Sequence, residues 1–120
     1  MTQHWHAYTY TGPGRPRDAD ARDPAVAAPP LVIAEWPDKP RSMLVGQFAD
    51  REAAASWLEQ EVARTPPMPT ALPAESLVAY ARTRLAQDPA DVVTRYYTAS
   101  SYVCRDLVLC TGRCPASPAE

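Results

Sequence analysis

Glycine is scarce in this chain, with four in 120 residues. That scarcity excludes the phosphate-cradling loops and dinucleotide fingerprints, which need several glycines for close backbone approach. Lysine is scarcer still, since Lys39 is the single lysine among twelve basic residues and 14 acidic residues leave a formal charge of −2. No cluster of cations stands ready to displace counterions, so general nucleic-acid binding has no electrostatic basis. Apolar runs are short: Leu31-Val32-Ile33-Ala34 falls far below the roughly 20 residues of a bilayer-spanning helix. Met1 to His6 carries neither the charged start nor the apolar middle of a signal peptide. The expectation is a cytoplasmic protein that does not engage a membrane.

Other residue types are rare in ways that constrain the interior. Phe48 is the only phenylalanine, so three Trp and six Tyr must supply the aromatic part of any core. Histidine occurs twice, at His4 and His6. The three cysteines, Cys104, Cys110 and Cys114, crowd toward the C-terminus. An odd, clustered set is a poor framework for a disulfide-stapled secreted domain.

What the chain has in excess is proline, 14 in all, within an otherwise ordinary balance of 46% hydrophobic and 22% charged residues. One soluble domain is expected over 1–115, with 116–120 as a disordered tail. Five prolines fall between residues 12 and 30, alongside three Arg and three Asp that cancel in charge. This stretch is expected to be a flexible loop with no buried face.

Between the prolines the patterning resolves into elements. His4 to Thr11 alternates, with Trp5, Ala7 and Thr9 on one side and His4, His6, Tyr8 and Tyr10 on the other, as a strand requires. Leu31 to Trp36 and Met43 to Phe48 read as two further strands joined by a hairpin loop. Asp50 is a good N-cap for a helix over 51–64, in which Leu58 and Val62 lie one turn apart. A second helix starts at Pro73, gathers Leu77, Val78, Ala81 and Leu85 on one side, and stops at Asp88-Pro89. Val92 to Thr98 and Tyr102 to Cys110 form a terminal hairpin, although the first arm also suits a short helix. The order β-β-β-α-α-β-β implies a single two-layer α+β domain, with a mixed, mainly antiparallel sheet and both helices on one face.

The densest chemistry lies at the C-terminus. On one straight strand Cys104 and Cys110 would lie about 20 Å apart, too far to share a ligand. Cys110 and Cys114 flank a turn-capable Thr111-Gly112-Arg113, so they could pair, and Arg113 could favour a thiolate. Three readings follow: incidental thiols, a redox or structural disulfide, and a metal site, with zinc as the candidate ion. A closed zinc site needs four ligands, and only His4 and His6 remain to complete it. At i and i+2 of a strand they share a face, so they would serve if that strand lay beside the C-terminal one. The competing reading is two polar aromatic residues on a partly exposed strand.

Two tyrosine-rich patches are candidates for an interaction surface: His4, His6, Tyr8 and Tyr10, and the set Tyr96, Tyr97 and Tyr102 with Arg95 and Arg105 in the final hairpin. Ordinary core packing competes for each ring. A small-molecule pocket lined by Trp36, Trp57 and Tyr80 is a weaker candidate. No nucleophile elbow, Walker loop or HExxH is present, which leans away from an enzyme. Two functions therefore remain open. The first is a small binding protein acting through a protein partner or self-association; the second is a metal- or thiol-dependent protein centred on the cysteines.

Overall fold

The computed structural model describes residues 3–87, 90–110, 112 and 114. The elements in chain order are β1 (Trp5–Gly12), α1 (Asp18–Arg22), two 3-10 turns (Ile33–Asp38 and Arg41–Met43), β2 (Leu44–Phe48), α2 (Arg51–Arg64), α3 (Ala74–Ala86), β3 (Arg95–Tyr97) and β4 (Tyr102–Leu109). The strands form one sheet in the order β2-β1-β4-β3, and every pairing is antiparallel. The fold is α+β, as the patterning implies. The first and last long strands of the chain are neighbours at its centre, with Trp5 opposite Leu109 and Gly12 opposite Tyr102.

Strand alternation divides the interior in two. Trp5 and Ala7 of β1 and Val103 and Leu107 of β4 pack with Ala54, Leu58 and Val62 of α2 and Ala81 and Leu85 of α3. On the opposite face, Tyr8, Cys104 and Val108 pack with Trp36, Met43 and Leu44. Both helices therefore cover one face, as expected from their stripes. Asp50 caps α2 by accepting a hydrogen bond from the Glu52 N–H at 3.0 Å.

The second face is covered from the segment 13–43, through Ile33, Trp36 and Met43. The expected strand at 31–36 is instead part of a 3-10 turn over Ile33–Asp38 with Pro37 inside it. Val32 is 55% exposed while Trp36 is fully buried, so the apolar run is not covered on both sides as a central strand would be. Trp36 stacks on Tyr8 at 4.5 Å between ring centres and donates its indole N–H to Asp106 Oδ2 at 3.0 Å. Without that strand the expected hairpin to 43–48 does not form, and β2 pairs with β1 instead. The sheet is accordingly wholly antiparallel rather than mixed, and it has four strands.

Residues 12–30 also bury more than their composition suggests. Ala21 and Ala28 are buried, with Pro29 and Pro30 beside them in sequence also buried. The organising group is Lys39, whose ammonium donates to the carbonyls of Asp20, Asp23 and Val26 at 3.1, 2.8 and 3.3 Å. One cation replaces the backbone partners that prolines and tight turns cannot provide.

β4 is buried on both faces yet carries Arg105 and Asp106 at its middle. Each finds a partner on its own side. Arg105 donates from Nε to Glu61 of α2 at 3.1 Å and from Nη1 to the carbonyls of Tyr10 and Cys104. Glu61 also pairs with Arg64. Asp106 accepts from Trp36, from Arg95 Nη2 at 2.8 Å and from the Thr94 N–H at 3.2 Å. This last bond takes the Thr94 N–H out of the backbone ladder while its carbonyl still accepts the Arg105 N–H at 2.8 Å, and β3 spans Arg95–Tyr97 rather than 92–98, with Val92 joined to Leu107 by an isolated bridge. The alternative helix is not seen over 90–98. Asp88, Pro89 and the 116–120 tail lie outside the described residues.

Candidate metal centre

The pairing of β1 with β4 builds the site. Continuing its register by one residue sets His4 opposite Cys110, and the Cys110 N–H donates to the His4 carbonyl at 2.9 Å. His6 lies one pleat along on the same face. Asp91 closes the last rung by accepting the Leu109 N–H at 2.8 Å, which holds the backbone immediately before Cys110. Beyond Cys110 the chain turns, with Gly112 at φ 98°, a conformation that favours glycine. The turn returns Cys114 to the same place.

The result is a four-residue group, His4, His6, Cys110 and Cys114, whose candidate ligand atoms all lie within 4.8 Å of one another. Cys114 Sγ is 3.2 Å from Cys110 Sγ and 3.3 Å from His4 Nε2, and the rings of His4 and His6 meet edge to face at 4.8 Å. A tetrahedral zinc with Zn–S near 2.3 Å and Zn–N near 2.0 Å implies sulfur–sulfur spacings of about 3.8 Å and nitrogen–nitrogen spacings of about 3.3 Å. The sulfur pair needs to open by about 0.6 Å and the longest separation to close by about 1.3–1.5 Å. All three cysteines are free thiols.

Burial is graded across the group. His6 is buried, Cys110 and His4 are half-buried and Cys114 is exposed. Neither ring nitrogen of His6 has a hydrogen-bond partner among the described residues, an omission that costs about 1–3 kcal/mol in a buried group. Burial first, and the neighbouring His4 second, hold its pKa below the ordinary imidazole value, the direction that favours the neutral ring a metal would use. A small cavity of about 80 Å³ adjoins His6 and Cys110, walled by Ile33, Ala34 and Pro37 of the covering segment and by Asp91.

Cys104 stands apart. It is fully buried on β4 opposite Tyr10, and it is absent from the ligand group. Burial above all, with Asp106 adding to it, pushes its thiol well above the ordinary range. Of the thiol and metal candidates, four of the five therefore converge and Cys104 does not. Arg113, expected to favour a thiolate, lies outside the described residues.

The two tyrosine patches fare differently. His6, Tyr8, Tyr96, Tyr102 and Arg105 are buried, which removes them from an exposed contact surface. Tyr8 is taken by the stack on Trp36, and the Tyr96 hydroxyl donates to the Thr65 carbonyl at 2.6 Å. Arg95 is committed to Asp106. His4 and Tyr10 are half-buried, and Tyr97 is 47% exposed, packed edge-on against Tyr102. The pocket expected among Trp36, Trp57 and Tyr80 does not exist: Trp36 is on the covering-segment face, Trp57 packs against Phe48 toward the helix-face core, and Tyr80 is exposed.

Sequence reasoning missed Lys39 and Asp91. A solitary lysine beside a proline-rich stretch was the available signal for the first; Asp91 carries none, because its role depends on where β4 ends. No family model matches the chain, and no curated protein or solved structure matches it either. Among the described residues no helix is long and apolar enough to cross a membrane.

Proposed function

We propose that this protein binds a zinc ion through His4, His6, Cys110 and Cys114. What carries the reading is the convergence of four nitrogen and sulfur ligands within 4.8 Å from opposite ends of the chain. A mixed thiolate and imidazole set suits zinc's borderline softness and tetrahedral habit. With four protein ligands the coordination shell is closed, so the ion acts as a cross-link between the start of β1 and the turn after β4. Metal uptake by the full chain, purified without chelator and measured by elemental analysis, tests this. One equivalent of zinc is expected, together with intense charge-transfer absorption when cobalt is substituted, both lost in the Cys110→Ser, Cys114→Ser double variant. Freely reactive Cys110 and Cys114 in the folded chain and no stoichiometric metal would sink the idea.

A second reading, self-association, is supported by the open outer edge of β2, where Val45 is 46% exposed. An unpaired strand edge is a template for a second copy. Light scattering across a concentration series distinguishes the two: a strict monomer overturns self-association and leaves zinc binding untouched.

A further inference from the structure

We infer that Cys110 and Cys114 are also a redox pair, and that a hydroperoxide converts them to a disulfide and expels the zinc. This rests on the zinc reading above and adds its regulation. The two sulfurs are 3.2 Å apart across one turn, against about 2.05 Å in a disulfide. Gly112 between them has a φ of 98°, a conformation open to glycine and costly for other residues. Cys110 is held by its N–H to His4 at the end of the sheet, so closure of the bond falls to Cys114 and the sheet need not move.

Accessibility assigns the roles. Cys114 is exposed and meets the oxidant first; Cys110 is half-buried beside it and resolves. Cys104, with no exposed surface and six residues back along β4, cannot compete for either. The Cys114 thiolate attacks one peroxide oxygen, the O–O bond breaks, and water or an alcohol leaves after protonation, with sulfenic acid at Cys114. The Cys110 thiolate then attacks the Cys114 sulfur, the S–O bond breaks, and hydroxide leaves as water after taking a second proton. Two electrons pass from the two thiolates to the peroxide. Both sulfurs lose their negative charge, so zinc is left with two imidazoles and departs as the divalent ion.

The experiment uses the zinc-loaded full chain, with loading measured before any oxidant is added. Hydrogen peroxide is then added in sub-stoichiometric steps, with zinc release followed by a chromophoric chelator and the disulfide located by peptide mass spectrometry. One zinc should be released per disulfide formed, free thiols should fall from three to one with Cys104 remaining, and dithiothreitol with fresh zinc should restore the starting state. Cys114→Ser should form no such disulfide. Zinc retained after Cys110 and Cys114 have joined, or oxidation past sulfenic acid with no disulfide, overturns the inference while zinc binding stands. Failure to load zinc at the first step overturns the zinc reading itself.

Discussion

Replacing Lys39 by Met tests how the proline-rich covering segment is held. The ammonium donates three hydrogen bonds, at 3.1, 2.8 and 3.3 Å, to carbonyls in and after α1. Bonds to charged groups contribute about 1.5–3 kcal/mol each, but the methionine stem keeps the apolar contacts and the variant is spared the desolvation of a buried cation. The hollow of about 360 Å³ lined by Arg22, Glu35 and Asp38 next to Lys39 admits water to the abandoned carbonyls. The two shorter bonds together contribute about 3–6 kcal/mol, and these offsets reduce the net loss to about 2–3 kcal/mol. In urea this lowers the midpoint by on the order of 1–2 M at a slope of about 1.5 kcal/mol/M. Trypsin provides a local readout, because Arg17 and Arg22 lie within the segment and neither is followed by proline: cleavage there should accelerate before global unfolding. Ile33, Ala34 and Pro37 of the same segment wall the cavity beside His6, so zinc transfer to a chelator should also quicken. A Lys39→Met chain with an unchanged midpoint and unchanged cleavage at those arginines would refute the idea that one ammonium organises the segment.

Three further outcomes are expected. Asp106→Asn strands the partly buried Arg95 guanidinium and weakens the bonds from Trp36 and Thr94, so it should cost about 3–5 kcal/mol in urea unfolding, whereas loss below 1 kcal/mol would show that the pair is dispensable. Leu58→Ala empties a fully buried position of α2 and should cost about 2–5 kcal/mol, read by thermal and chemical denaturation with the helical circular dichroism otherwise retained. In native metal-free chain near pH 8, iodoacetamide should modify Cys110 and Cys114 quickly and Cys104 only on unfolding, because burial raises the Cys104 pKa. The sign carries to stability: a thiol titrating higher in the folded state contributes stability below its unfolded pKa, and that contribution is lost as pH rises above it. Equal labelling of all three thiols in the folded chain contradicts this.

Local pattern was sufficient wherever an element's fate depends on its own residues. Asp50, the Leu58 and Val62 spacing and Arg64 specify α2 over 51–64, and that helix forms there. Leu31 to Trp36 shows where such reasoning stops. Its β-rich run forms a strand only if a neighbouring strand accepts its backbone; Trp36 instead finds Tyr8 and Asp106, and Pro37 favours a turn. Residues Arg105 and Asp106 likewise break the apolar alternation of β4 in sequence, and only Glu61 and Arg95, from other elements, show how each charge is satisfied.

The candidate metal centre divides in the same way. Composition and spacing alone determine that the chain has two histidines on one strand face, a cysteine pair around Gly112, and only Cys104 besides as a ligand of that kind. Whether those two halves form one site is a distance between residues more than a hundred positions apart, which no local propensity encodes. It was decided by the antiparallel register that sets His4 against Cys110, and that register follows from burying Trp5, Ala7, Val103 and Leu107 together beneath the helices. A slip of one residue would turn Cys110 to the opposite face and separate it from the histidines.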